Sequence, residues 1–311
     1  MSDVVISGAS GLIGSAVADT LRDRGDRPIA LVRPSSTAAA DALRWDPLAG
    51  AIDAAGLEGV DAVIHLAGEP LLGRWTERKR RAIRDSRILG TRLLAETIAR
   101  LQRPPRVLLS GSAVGWYGSR ADEVLTEASP PGAGFLATVC DEWERATEPA
   151  ERAGVRVVTL RTGLVQSAEA DLLRLQLPAF KLGLGGKLGS GQQWFPWIAL
   201  HDHVGATLHL MGRDDARGAV NLTAPNPVRN AEFARTLARV VRRPMFLTVP
   251  RPAVAAVFGR AAATELAAAS QRVLPARLTD EFGYAFRYRD LEPALRAALR
   301  GTRTGSAPSN P

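Results

Sequence analysis

Residues 4–14 read Val4-Val5-Ile6-Ser7-Gly8-Ala9-Ser10-Gly11-Leu12-Ile13-Gly14, and the chain runs on through Ala16-Val17-Ala18-Asp19-Thr20-Leu21. An apolar run that ends in glycines and reopens as a helix-forming segment predicts a buried strand turning into a helix. Each glycine has its own task in such a turn. The first permits the tight bend, the second lets backbone N–H groups approach a pyrophosphate, and the third lets the helix pack on the strand with its positive end facing the phosphates. A glycine pattern alone is weak, but a strand before it and a helix after it supply the context in which dinucleotides bind. Gly8, Ser10, Gly11, Leu12, Ile13 and Gly14 are therefore the candidate phosphate contacts.

Working outward, the 311 residues are 46% hydrophobic, enough to bury one large domain with an appendage, or two domains. No stretch of eighteen apolar residues is present, and the first residues include Asp3 with no basic flank, so neither a membrane span nor a secretory signal is expected and the protein is expected in the cytoplasm. The single cysteine, Cys140, allows no internal disulfide. The four histidines do not fall at metal-ligand spacing, so no metal site is expected. The net charge of +8 raises nucleic acid as a partner, but arginines are interspersed with acids over most of the chain. A small anionic ligand suffices to explain them, with the protein a monomer or homodimer.

Apolar runs alternate with helix-length segments through the first half. Residues 29–32, 62–66, 107–109 and 155–160 read as buried parallel strands, and residues 77–101 and 134–153 as helices. That alternation predicts an α/β fold, a Rossmann-like doubly wound parallel sheet. The pattern changes near Leu177, where a glycine-rich stretch, residues 183–191, leads into Trp194-Phe195-Pro196-Trp197. The expected division is a dinucleotide-binding domain over 1–175, with later segments returning to its sheet, a smaller and mainly helical substrate-side region over 176–300, and a disordered tail over 301–311.

The second strand ends at Arg33, where sheets of this kind meet the adenosine ribose. An acid there accepts from a free 2′-hydroxyl; an arginine accommodates a 2′-phosphate, so Arg33 points to NADP. Asp46 either accepts from an adenine amino group or simply closes an Asp-Pro turn. Leu66, Ala67 and Gly68 follow the Ala62-Val63-Ile64-His65 run at the carboxyl edge of the sheet, where small residues let a ligand approach the backbone.

Together, the glycine turn, Ile64-His65-Leu66-Ala67-Gly68, the Ser110–Gly118 stretch and Arg161-Thr162-Gly163 resemble the extended short-chain dehydrogenase/reductase superfamily, in its NAD-dependent epimerase/dehydratase branch. Leu66-Ala67-Gly68-Glu69-Pro70, Arg74-Trp75-Thr76, Ser86-Arg87, Trp194-Phe195-Pro196-Trp197-Ile198 and Ser270-Gln271-Arg272-Val273-Leu274-Pro275 narrow the resemblance to an atypical, sugar-nucleotide epimerase-like subgroup with a small C-terminal domain of unassigned function. The resemblance covers about residues 3–300. It implies an NADP-binding oxidoreductase or epimerase and places Arg87, Ser110, Gly111, Arg161, Thr162 and Gly163 in the cofactor cleft, with Glu69 on the substrate side.

The superfamily carries a Tyr-x-x-x-Lys pair one helical turn apart, the lysine lowering the tyrosine pKa so that a phenolate takes a hydroxyl proton. Aligned on Glu144, this chain has Leu136 in the tyrosine position and Cys140 in the lysine position. Ala113 stands where the partner serine belongs, with Ser112 one residue earlier. Tyr117, with Ser112, is the replacement acid, and Cys140, flanked by Asp141 and Glu144, reads as structural. Arg74, Arg87, Lys187 and His201 are candidates to hold an anionic small-molecule substrate between walls of Trp75, Trp194 and Trp197. A non-catalytic NADP-binding sensor or assembly protein is the alternative.

Overall fold

Apolar residues alternate along the first strand, Asp3–Ser7, and the computed structural model shows where each face goes. It describes residues 1–36 and 41–300. Val4 and Ile6 face one side, packed with Val17 and Leu21 of helix Leu12–Asp23 and with Val204 and Leu208 of helix Leu200–Met211. Val5 faces the other, with Leu94 and Ile98 of helix Glu77–Ile98. Each buried residue of helix Leu12–Asp23 falls on one stripe, Gly14, Val17, Ala18 and Leu21, the spacing of a helix laid against a sheet.

The sheet has eight strands in the order Gly218–Leu222, Arg156–Thr162, Val107–Ala113, Ala62–His65, Asp3–Ser7, Arg27–Val32, Leu43–Asp46, Ala51–Ile52. Only the last is antiparallel to its neighbour. Ser7 pairs with Leu31 on one side and His65 on the other, and His65 with Ser110, so these residues share one carboxyl edge. The order reverses at the first strand, which opens a crevice above Ser7 and Gly8, the place where open α/β sheets bind ligands. The fold is thus the α/β, Rossmann-like doubly wound sheet expected from the alternation.

The anticipated helix over 134–153 is two helices, Phe135–Arg145 and Glu148–Arg152. Pro149 has no N–H to continue the ladder, and the Thr147 hydroxyl donates to the Glu144 carbonyl at the break. The boundary at 175/176 falls inside helix Asp171–Lys181, whose Leu173, Leu177 and Phe180 pack with Phe195, Trp197, Phe233 and Leu237 in a separate C-terminal core. Strand Gly218–Leu222 then returns to the main sheet. The expected disordered tail, 301–311, lies outside the described residues. No helix among the described residues is long and apolar enough to cross a membrane.

Candidate functional site

Gly8 has φ +74, and a β-carbon there would stand 2.9 Å from the Leu66 carbonyl carbon. One on Gly14 would stand 2.2 Å from the Gly8 carbonyl oxygen. Both glycines are therefore demanded by close backbone packing. Gly11 differs: exposed, with φ −80 and ψ 166, it caps helix Leu12–Asp23 without any side-chain hydrogen bond, and no acid lies in that helix's first turn. The Gly11 N–H is turned inward to the Gly8 carbonyl at 2.9 Å. An uncapped, acid-free helix N-terminus behind an exposed glycine fits a pyrophosphate. Ser10 is exposed on the same turn, and Leu12 and Ile13 begin the helix half-buried.

Beside it, Arg33 is exposed directly after strand Arg27–Val32 and has no carboxylate partner among the described residues. The loop it opens is held from below, because Arg44 Nη1 donates to the Ser36 carbonyl at 2.9 Å. Of the two readings of Asp46, the turn is the one realised: Oδ1 accepts from Leu48 and Ala49 N–H at 3.0 and 3.3 Å. That oxygen is engaged locally, as the turn reading expects.

The crevice floor rests on a pair that the motifs alone do not reveal. Ser7 Oγ lies 2.6 Å from His65 Nδ1 and accepts from the N–H groups of Leu66 and Ala67. With its oxygen so used, its proton goes to Nδ1, which fixes the imidazole tautomer. Burial holds His65 neutral, down to a pKa of about 4. A serine ahead of the glycine turn and a histidine at the end of a neighbouring strand were the available signals. Above this pair, the half-buried Arg87 donates to the Glu69 and Ile83 carbonyls and leans over the Trp143 ring at 5.2 Å. Its Cζ stands 3.3 Å from a β-carbon position on Gly68. Arg87 thus braces the loop through Nη1. Glu69 faces outward, paired with Lys79 at 2.7 Å.

Leu136 and Cys140 do occupy helix Phe135–Arg145. Burial, with Glu144 adding to it, pushes the Cys140 thiol up to about 12, so it is inert near neutral pH. Next to it runs a sealed polar chain. Ser112 Oγ donates to Glu144 at 2.6 Å, and Glu144 takes both arms of Arg161 at 2.8 Å. Arg161 Nη1 donates to Tyr117 Oη at 3.1 Å, and Tyr117 donates to Asn221 Oδ1 at 2.7 Å. Tyr117 has no solvent exposure, and burial pushes its hydroxyl up to about 12. The expectation that Tyr117 and Ser112 act as acids is therefore corrected: both hydroxyls are enclosed and spoken for. The same holds for Arg161, stacked 3.9 Å over Trp116, and for the buried Ser110, neither of which presents a side chain to the crevice. Gly111 packs beneath, against Trp143, and Gly163 against the Pro196 carbonyl. Thr162 Oγ1 donates to the Leu160 carbonyl and lies 3.0 Å from His203.

The proposed substrate walls do not converge. Trp197 is buried in the C-terminal core, its Nε1 donating to the Asn226 carbonyl, because it lies on a strand paired with Leu164–Gln166. Trp194 is sandwiched between Arg229 and Arg272 at 4.5 and 4.8 Å. His201 sits outside, beside Arg287 and Tyr288. Those three are corrected. Trp75 stands edge-on to Phe135 at 5.4 Å, tying the loop after strand Ala62–His65 to the helix of Leu136 and Cys140. Arg74 lines a cleft of about 640 Å³ with residues of 188–193 and 251–268, and Lys187 lies at its margin against Gly191.

Residues 4–223 match the model of the NAD dependent epimerase/dehydratase family, and residues 249–298 match a domain of unknown function (DUF1731). An epimerase family protein of Mycobacterium tuberculosis is 41% identical, covering 94% of this chain and 96% of its own length. The crystal structure of the human epimerase family protein SDR39U1 (isoform 2) with NADPH matches with a TM-score of 0.88 at 32% identity, covering 96% of this chain and 99% of that one. A nucleoside-diphosphate sugar epimerase from Corynebacterium glutamicum matches with a TM-score of 0.80 at 36% identity, over 96% of this chain and 58% of that one. With the sheet order, the glycine turn and these matches all in agreement, the chain belongs to the NAD dependent epimerase/dehydratase family.

Proposed function

We propose that the chain binds NADP(H) over the Gly8–Gly14 turn and acts as an oxidoreductase on a small molecule without the Tyr-x-x-x-Lys relay. The observation that carries this reading is the uncapped, acid-free N-terminus of helix Leu12–Asp23 with the unpaired Arg33 beside it. The NADPH in the human relative's structure supports it. The N–H groups at the start of the helix hold the pyrophosphate, and Arg33 takes the 2′-phosphate. When bound, the nicotinamide supplies or accepts a hydride.

Proton movement then falls to the substrate, to water, or to the ion pair of Glu69, on the loop after strand Ala62–His65, with Lys79 of helix Glu77–Ile98. Leu136 has no proton to give, and Cys140 and Tyr117 hold theirs. That occupied polar chain also favours a second reading, a non-catalytic NADP-binding protein of the cytoplasm. Two measurements separate the readings. Calorimetric titration is expected to show NADPH binding about ten- to a hundred-fold more tightly than NADH, the worth of a charge-assisted phosphate contact; equal affinities would sink the NADP(H) assignment. Incubation with NADPH and a panel of carbonyl compounds and sugar nucleotides, followed by nicotinamide absorbance, is expected to give turnover above background. Tight NADPH binding with no turnover on any of them would favour the second reading.

A further inference from the structure

The 640 Å³ cleft has a chemical character of its own, and it is not that of a sugar-nucleotide pocket. Three arginines line it, Arg74, Arg251 and Arg260, and among the described residues none has a carboxylate partner. Several surface arginines elsewhere stand against acids, as Arg213 does with Asp215 and Arg277 with Glu281. No acid lines the cleft. The acid on its wall segment, Glu265, is turned away to accept from the Phe135 and Leu136 N–H groups at 3.0 and 2.7 Å. Three uncompensated guanidinium groups around one cavity favour an anion.

Between those cations the lining is apolar and small: Leu188, Val254, Ala255, Ala263 and Ala267. No aromatic ring is present for a base to stack on, and no carboxylate for sugar hydroxyls to donate to. One polar side chain is left wanting. Gln193 is 9% exposed, and its Nε2 donates to the carbonyls of Leu188 and Ala267 at 3.1 Å, both residues of the lining. With the amide so oriented, its Oε1 is buried without a partner. That oxygen is closed off from the cleft, so Gln193 acts there by tying the Leu188 and Ala267 carbonyls together. The cleft also adjoins the reaction side of the fold, since Arg74 belongs to the loop leaving the carboxyl edge and Glu265 caps the helix of Leu136 and Cys140.

We infer that this cleft takes the substrate, and that the substrate is an amphipathic organic acid: a carboxylate head for the arginines and an apolar, hydroxyl-bearing body against Leu188 and Val254. As a substrate assignment it rests on the oxidoreductase reading above; the hydroxyl is the group such chemistry would oxidise. As a binding site it stands independently.

The test is calorimetry on the full chain with 3-hydroxydecanoate, its methyl ester, decanoate and UDP-glucose, each with and without NADPH. 3-Hydroxydecanoate is expected to bind at least about ten-fold more tightly than the ester, the worth of one charge-assisted hydrogen bond. Arg251→Gln and Arg260→Gln are expected to remove most of that difference while leaving NADPH affinity unchanged, which also shows the variants folded. UDP-glucose binding more tightly than 3-hydroxydecanoate, or arginine variants that leave acid and ester equally bound as before, would overturn the inference. If the acid binds but NADPH does not, the oxidoreductase reading fails and the site stands; if NADPH binds and none of the acids does, the site fails alone.

Discussion

A β-carbon on Gly14 would stand 2.2 Å from the Gly8 carbonyl oxygen, whereas one on Gly11 would stand 3.3 Å from the same atom on an exposed turn. The two glycines should therefore fail differently. Gly14→Ala has to displace backbone and is expected to cost about 2–4 kcal/mol in stability, read as a lowered Tm. Gly11→Val meets an extended φ and ψ that valine tolerates, so Tm should stay within a few degrees while NADPH binding is lost, the side chain filling the space of the pyrophosphate. Normal binding by Gly11→Val would move the phosphates elsewhere. Arg33→Ala tests the other end of the cofactor: NADPH affinity should drop about ten- to a hundred-fold and NADH affinity hardly change. Cys140 invites overreading because it stands in the lysine position. Buried and with its thiol pushed up to about 12, it should alkylate only as fast as the protein opens, and Cys140→Ser should keep NADPH binding. Rapid labelling that NADP suppresses would reverse that view.

Among the elements, helix Phe135–Arg145 shows how the C-terminal segment is coupled to the sheet. Its own sequence supplies no cap, and Gly134 has φ +115, so the carboxylate of Glu265 arrives from 129 residues away to receive two of its N–H groups. Glu265→Ala is expected to cost about 1–2 kcal/mol. Hydrogen exchange should rise in 135–138 and 260–268 together; a change confined to one segment would argue against the coupling. Such long-range polar contacts are also what the sequence conceals. Val4-Val5-Ile6 and the glycine turn are legible because their demands are local: alternation, a positive φ, a close backbone approach. The sheet core follows from them. Tyr117, read as an acid, is fixed by Asn221, 104 residues away on strand Gly218–Leu222. Trp194 and Trp197 look equivalent in sequence, but Trp194 is held between two arginines while Trp197 lies in the C-terminal core, a distinction made only by their partner segments.

For the whole molecule, two buried histidines set the acid limit. His65 and His203 are both held down to about 4 by burial, against an ordinary 6.5. The unfolded chain therefore binds more protons than the folded one between those values. Stability is complete above pH 6.5 and is lost as pH falls toward 4. The two together should remove about 3 kcal/mol between pH 6.5 and about 5, at up to ~1.4 kcal/mol per unit for each. Urea unfolding across that window measures it, and a flat profile would show that one or both rings protonate without unfolding. The polar chain through Arg161 has a further consequence, in time. Its last members are Asn221, on the edge strand, and the Leu274 carbonyl that receives the Asn221 amide. At roughly 5–20 residues per second of synthesis, the chain from residue 162 to residue 222 takes roughly 3–12 s to emerge. Throughout that interval strand Arg156–Thr162 is an open sheet edge, and the Tyr117 hydroxyl lacks its acceptor. A nascent chain halted near residue 215 would present that edge to other chains, so this protein is most exposed to aggregation while it is being made, well before its cofactor turn has any ligand to hold.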